Sequence, residues 1–115
     1  MSDAAAVSES LHAVGTRTAG DMSERDVGNL FLETGFYDAL GFKGTGTDRR
    51  SEFTLPDDRR PDYITLDSNE AVTTVYEFKT TGKSLPQHRS QLFGYMDYLR
   101  AEHGVLTNGE ELRLY

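Results

Sequence analysis

Apolar residues recur along this chain in two patterns, as short stretches bounded by polar turns and as longer stretches with helical spacing. The clearest short stretch is 71–79, which is rich in β-branched and aromatic residues and therefore predicts a strand. Further strands are predicted at 52–55, 62–66, 105–107 and 112–115. The polar residues 67–70 predict a hairpin loop, and Asn108-Gly109 predicts a second hairpin turn.

Two longer stretches place their apolar residues on one helical face. The first predicts a helix over 23–40, with a capping box formed by Ser23 and Asp26. The second predicts a helix that begins at Ser84 with the same kind of cap and ends before Gly104.

The remaining segments complete a simple order of elements. Residues 1–22 lack a stable period and predict an N-terminal arm, partly disordered or a short helix. Residues 43–51 predict a polar, glycine-rich loop. From residue 23 onward the order is αβββαββ, which predicts an α/β fold (an α+β mixed sheet flanked by helices) in one domain over 23–115. A length of 115 residues is consistent with a single compact domain.

Composition narrows the classes of function. The chain has no cysteine, which excludes a disulfide framework, a thiolate zinc site and a cysteine nucleophile. Its net charge of −7 works against non-specific phosphate binding, because such binding depends on cations. No apolar run approaches the roughly 20 residues of a membrane span, and the N-terminus lacks a signal-peptide pattern. We therefore expect a cytoplasmic protein.

Three ionisable residues lie in or beside apolar strands, where burial is costly. Asp62 opens one predicted strand, and Glu77 and Lys79 lie two positions apart near the end of the next, on one face. The hairpin between these strands brings the two carboxylates together. Converging carboxylates repel each other unless a cation neutralises them, and Mg²⁺ prefers such oxygen ligands. This pattern indicates metal-assisted attack of water on a phosphodiester, with Lys79 orienting the water or stabilising developing charge.

The same residues resemble the motif of the PD-(D/E)xK phosphodiesterase superfamily, which includes many restriction endonucleases. Pro61-Asp62 and Glu77-Phe78-Lys79 match the motif itself. Gln91 and Tyr95 match the QxxxY motif of RecB-like nucleases and of the restriction subunits of type I enzymes. Residues four apart share one helical face, so this pair is able to support one site.

The resemblance continues to the last residue of the sequence. Residues 104–109 and 112–115 are similar to a segment typical of type I and type IIG restriction nuclease domains. The resemblance covers about residues 23 to 115 and implies a restriction-endonuclease-like core. It implies that Mg²⁺, or Mn²⁺ in its place, binds Asp62, Glu77 and the carbonyl of Phe78. It also implies that Lys79 positions the attacking water, while the QxxxY pair supports the DNA or the metal site.

An acid on the first helix often completes the site in this superfamily, and two residues match that position. Glu24 lies about 70° from the centre of the apolar stripe and Glu33 lies about 110° from it. Glu24 also better matches the spacing to Gly41-Phe42. We therefore prefer Glu24.

The predicted function is a Mg²⁺-dependent DNA endonuclease domain of a restriction-modification system. The alternatives are a catalytically inactive nucleic-acid-binding or docking module of a larger assembly, and a RecB-like exonuclease. Expected partners are DNA, with helicase, methyltransferase or specificity subunits or a further C-terminal part of the chain. A homodimer would provide the two sites that double-strand cleavage needs, and no membrane partner is expected.

Several polar residues also allow a purely structural interpretation. Asp62 could cap a turn after Pro61, with Glu77 and Lys79 on a solvated strand edge. Arginine pairs occur at 49–50 and 59–60, where they either contact DNA phosphates or pair with nearby aspartates at the surface. His88 carries no predicted role.

Overall fold

The computed structural model describes residues 3–44, 48–51 and 54–115. Its helices are α1 (Ala4–Arg17), α2 (Glu24–Glu33), α3 (Phe36–Ala39) and α4 (Arg89–Leu99), with a 3₁₀ turn over Leu85–His88 before α4. Its strands are β1 (Arg49–Ser51), β2 (Tyr63–Leu66), β3 (Val72–Phe78), β4 (His103–Thr107) and β5 (Leu112–Leu114). The predicted class, a mixed sheet packed with helices, is confirmed. Within the described residues, no helix is long and apolar enough to span a membrane.

The five strands lie in the order in which they occur along the chain. Neighbouring strands are antiparallel, except that β3 and β4 are parallel. Parallel neighbours need a crossover, and α4 provides it by packing against both of these strands. The site residues predicted on β3 and on α4 are therefore held on one side of the sheet.

The sheet separates two hydrophobic cores. Helices α1, α2 and α3 cover one face, to which the strands contribute Tyr63, Tyr76, Phe78 and Val105. Helix α4 covers the other face, to which the strands contribute Ile64, Leu66, Val75 and Leu106. Because neighbouring residues of a strand point to opposite faces, β3 supplies side chains to both cores.

The first predicted helix begins as expected and then breaks. The capping box is confirmed, since the Ser23 hydroxyl accepts from the Asp26 N–H and the Asp26 carboxylate accepts from the Ser23 N–H. The prediction of one helix over 23–40 is wrong, because Gly35 adopts a left-handed conformation with φ of 76°. This turn separates α2 from α3, whose residues Phe36 and Tyr37 are buried in the core.

The second predicted helix has different ends from those expected. Ser84 makes no side-chain cap, and the α-helix begins only at Arg89, after the 3₁₀ turn that buries Leu85. The helix ends at Leu99 because Arg100 adopts a left-handed conformation with φ of 55°. Gly104 is therefore not the stop of a helix but part of β4.

The predicted strands differ from the observed ones mainly at the β1 edge of the sheet. The prediction of a loop over 43–51 is wrong at its end, where residues 49–51 pair with β2 as strand β1. In β1, Arg49 lies over the Tyr37 ring, with its Cζ 5.8 Å from the ring centre. In the strand predicted at 52–55, residues 52 and 53 lie outside the described residues and residues 54 and 55 are not in a strand. The strand predicted at 52–55 therefore begins directly after the observed strand β1.

Gly104 has a packing role that its sequence context did not indicate. A Cβ at this position would lie 2.9 Å from Leu92 Cδ2 and 2.5 Å from Met96 Sδ, so α4 approaches β4 closely only over glycine. The fully buried Leu92 leaves little room to shift.

We expect Gly104→Ala to lower the free energy of unfolding by about 1–3 kcal/mol, because overpacking forces α4 away from β4. The matched control is Gly15→Ala in α1, where a Cβ meets nothing within 4 Å, and which should stabilise the helix by about 0.5–1 kcal/mol. Urea unfolding followed by circular dichroism measures both changes. Equal effects of the two substitutions would contradict the close approach of α4.

Candidate active site

The predicted catalytic side chains meet where β2 begins and β3 ends. Asp62 lies one residue before β2, and the antiparallel register of β2 and β3 places it beside Glu77. Glu77 and Lys79 alternate with Phe78 and so lie on the sheet face that α4 covers. Both are buried, with 3% and 8% of their surfaces exposed. The structure therefore brings together the three residues of the predicted motif.

Asp62 and Glu77 are joined through the backbone as well as through their side chains. The Asp62 N–H donates to Glu77 Oε1 at 3.1 Å, and the Phe78 N–H donates to Asp62 Oδ2 at 2.8 Å. These bonds hold the two acids together where β2 begins and β3 ends.

Lys79 is held between the strand and α4. Its main-chain N–H donates to the Thr107 carbonyl at 2.8 Å, which extends the β3–β4 pairing beyond Phe78. Its ammonium Nζ lies 3.8 Å from Glu77 Oε2 and donates to Gln91 Oε1 at 2.9 Å. Gln91 in turn donates from Nε2 to the Tyr95 hydroxyl at 3.4 Å. The QxxxY pair and the motif lysine therefore form one hydrogen-bond chain.

Glu24, the acid preferred from the sequence, begins α2 and lies on the wall of a cleft beside Asp62. Glu24 and Asp62 both line an open cleft of about 460 Å³, whose other lining residues are Arg25, Gly28, Asn29, Leu32, Ser51, Tyr63 and Phe78. Glu33 does not line this cleft. The charge of Glu24 also acts on the pKa of Asp62 and of Glu77. Of the two acids of α2 that the sequence offered, the geometry thus favours Glu24 over Glu33.

The pKa values of Asp62 and Glu77 are both raised. Burial, followed by the charge of Asp62, raises the pKa of Glu77 from 4.5 to about 8. Burial also raises the pKa of Asp62, against the opposing Phe78 hydrogen bond, and the charge of Glu24 adds to the rise. The raised pKa values favour the protonated forms of the two acids, and a bound cation would relieve the repulsion between the two carboxylates.

The donor set fits a hard divalent cation. Asp62, Glu77 and the Phe78 carbonyl offer only oxygen atoms, which Mg²⁺ prefers together with retained water ligands. Within 3–44, 48–51 and 54–115, no group of three or more acidic or histidine side chains is placed to hold a metal ion. The carboxylate pair, rather than a larger acidic cage, is therefore the candidate ligand set.

Some residues near the site carried no functional prediction. Arg25, Asn29 and Ser51 form the polar part of the cleft wall. The helical spacing of Arg25 and Asn29, four positions apart, is the signal by which the sequence could have linked them. Burial, followed by the charges of Lys79 and Lys83, lowers the pKa of His88.

Surface carboxylates pair with the arginines of both sequence pairs. Arg49 lies 3.4 Å from Asp38, Arg50 lies 3.9 Å from Glu70, and Arg59 lies 2.7 Å from Asp57. The sequence suggested Asp48, Asp57 and Asp58 as the surface partners, and the three carboxylates named here include only Asp57 of that set.

Comparisons with protein-family models, with curated proteins and with solved structures found no match to this chain.

We expect Glu77→Gln to flatten the dependence of stability on pH. The folded-state pKa of about 8 lies above the unfolded value of 4.5, so wild-type stability is fully present below 4.5 and falls as the pH rises to about 8. The fall amounts to at most about 5 kcal/mol. Urea unfolding at several pH values between about 5 and 8 measures this slope.

The control for this measurement is Glu33→Gln, which changes an exposed acid of α2 outside the cleft. It should keep the wild-type slope. A Glu77→Gln protein with that same slope would show that Glu77 is not held protonated in the folded state.

Proposed function

We propose that this chain is a Mg²⁺-dependent DNA endonuclease domain of a restriction-modification system, with a restriction-endonuclease-like core of the PD-(D/E)xK type. One observation carries the proposal. Asp62, Glu77 and Lys79 meet at the ends of two neighbouring strands, and Gln91 of the crossover helix holds the lysine. Glu77 and Lys79 are buried beside the half-buried Asp62, which lines an open cleft. Such burial of charged groups is costly for stability, which favours a catalytic role over a structural one.

The chemistry follows from the residues. Asp62, Glu77 and the Phe78 carbonyl would hold Mg²⁺, which supplies charge neutralisation at the phosphate and a more acidic water when bound. Lys79 carries its positive charge beside these ligands, where its ammonium can orient the attacking water or stabilise charge that develops on the phosphate. Gln91 fixes the direction of this ammonium by accepting one of its hydrogen bonds.

The cleft supports a path for the nucleic-acid backbone. Arg25 lies in the first turn of α2, where the helix dipole disfavours a cation. Within the part of the chain that the structure describes, its side chain forms no ion pair or hydrogen bond. A cation in such a position, on the wall beside Asp62, is suited to contact a phosphate. We place the substrate strand along this wall, between Arg25 and Ser51.

We expect the wild-type protein to nick closed-circular plasmid in the presence of Mg²⁺ or Mn²⁺. Lys79→Ala should lower the rate about a hundredfold or more, because the charge beside the phosphate is lost, and Asp62→Ala should abolish cleavage. Lys43→Ala removes another lysine, whose ammonium binds a main-chain carbonyl, and should retain the wild-type rate. Gel assays at low and at high salt measure the rates, and circular dichroism verifies that each variant is folded.

The outcomes of this assay separate the alternatives. Degradation of linear DNA without nicking of circular DNA would indicate an exonuclease. Full activity of folded Lys79→Ala would contradict the assignment of the lysine. A wild-type protein that neither nicks DNA nor binds Mn²⁺ through Asp62 and Glu77 would indicate an inactive binding or docking module.

We expect Arg25→Ala to raise KM while kcat is retained. The lost phosphate contact would stabilise the bound substrate and the transition state equally, so its removal weakens binding without raising the barrier of the chemical step. The logarithmic dependence of affinity on salt should become shallower by about one. Arg17→Ala, an exposed arginine of α1 outside the cleft, is the matched control. An unchanged KM and salt dependence in Arg25→Ala would place the substrate on another surface.

A further inference from the structure

Arg59 lies against two tyrosines of the crossover helix. Its guanidinium carbon Cζ is 5.6 Å from the ring centre of Tyr95 and 5.5 Å from that of Tyr98. A Cβ at Gly94 would lie 3.2 Å from Arg59 Nη1, so glycine leaves room on the helix for this side chain. The contact joins the loop before β2 to the surface of α4.

The loop that carries Arg59 has a defined shape. Leu55, 2% exposed, anchors it in the core under α4, and the Leu55 N–H donates to the Arg59 carbonyl at 2.8 Å. Asp58 turns the chain with a left-handed φ of 69°. Asp57 Oδ2 accepts from Arg59 Nε at 2.7 Å, which directs the guanidinium toward the rings. The arginine is therefore already neutralised and oriented.

Tyr95 is the point at which this loop reaches the chemistry. Its hydroxyl accepts from Gln91 Nε2, and Gln91 Oε1 accepts from the Lys79 ammonium. Asp62 follows Arg59 by three positions along the chain. One contact thus lies between the segment that supplies the first acid and the hydrogen-bond chain that holds the lysine.

We propose that Arg59 is a positioning residue of the site: by stacking on Tyr95 and Tyr98 it fixes the distance between the Asp62 segment and the Lys79–Gln91–Tyr95 chain. This inference rests on the proposed function for its effect on catalysis. An arginine in this role sets the direction of the Lys79 ammonium without touching DNA. Its loss should therefore lower kcat rather than weaken substrate binding.

The experiment compares Arg59→Ala, Arg59→Lys and Arg113→Ala in Mg²⁺-dependent nicking. Arg113 also pairs with a carboxylate two positions away, at 3.0 Å to Glu111, so its removal matches the lost charge and the lost ion pair. We expect Arg59→Ala to lower kcat about three- to thirtyfold with KM within about twofold of wild type. Arg59→Lys should restore part of kcat, and Arg113→Ala should retain the wild-type values.

A second measurement does not depend on activity. In nitrogen-15 NMR spectra of the protein without DNA, Arg59→Ala should shift the Lys79 ammonium signal and speed its proton exchange, while Arg113→Ala leaves both unchanged. If the wild-type protein does not cleave DNA, the proposed function fails and these spectra alone decide the role of Arg59. An unchanged Lys79 signal in Arg59→Ala would overturn the inference, as would a raised KM with unchanged kcat, which indicates a phosphate contact instead.

Discussion

The pairing of the half-buried Asp62, just before β2, with the buried Glu77, near the end of β3, is the constraint on which the rest of the candidate site depends. Each acid is tied to the backbone of the other strand: Asp62 binds the Phe78 N–H and Glu77 binds the Asp62 N–H. These bonds exist in only one register of the hairpin, because a slip of one residue would move Glu77 to the opposite face. The relative position of the two acids therefore depends on the same register that pairs β2 with β3.

The same alternation explains why the lysine lies where it does. Tyr76 and Phe78 point into the core under α2 and α3, so Glu77 and Lys79 must point toward α4. The parallel pairing of β3 with β4 then requires a crossover, and that crossover carries Gln91 and Tyr95. The topology of the sheet thus brings Lys79 together with Gln91 and Tyr95 of α4. Burial raises the pKa of Glu77, which lies beside the lysine.

Much of this arrangement was predictable from local sequence, and the remainder depends on contacts between distant segments. The Ser23–Asp26 capping box and the common face of Glu77 and Lys79 are local, and the structure contains both. The break at Gly35 was missed because the apolar spacing continues through it, although glycine alone allows that φ without strain. Strand β1 was missed because residues 49–51 are polar and pair only through their contact with β2.

The candidate site shows the same division. The sequence grouped Asp62, Glu77 and Lys79 because spacing along strands defines their faces, and the resemblance to the QxxxY motif added Gln91 and Tyr95. The choice of Glu24 over Glu33 depended on how α2 is rotated against the sheet, which helical angles approximate. The stacking of Arg59 on Tyr95 and Tyr98 had no local signal, because it joins segments that approach only after the crossover has formed.

The separation of the two cores by the sheet has a consequence for how such a domain can change over time. The cleft wall belongs largely to α2, on one side, whereas the lysine and its hydrogen-bond partners belong to α4, on the other. Substitutions at Arg25, Asn29 or Leu32 repack no residue of the α4 core. Under the proposed function, we expect substitutions at these three positions to change contacts with the substrate while the packing around Lys79 is kept, because the sheet separates the two cores.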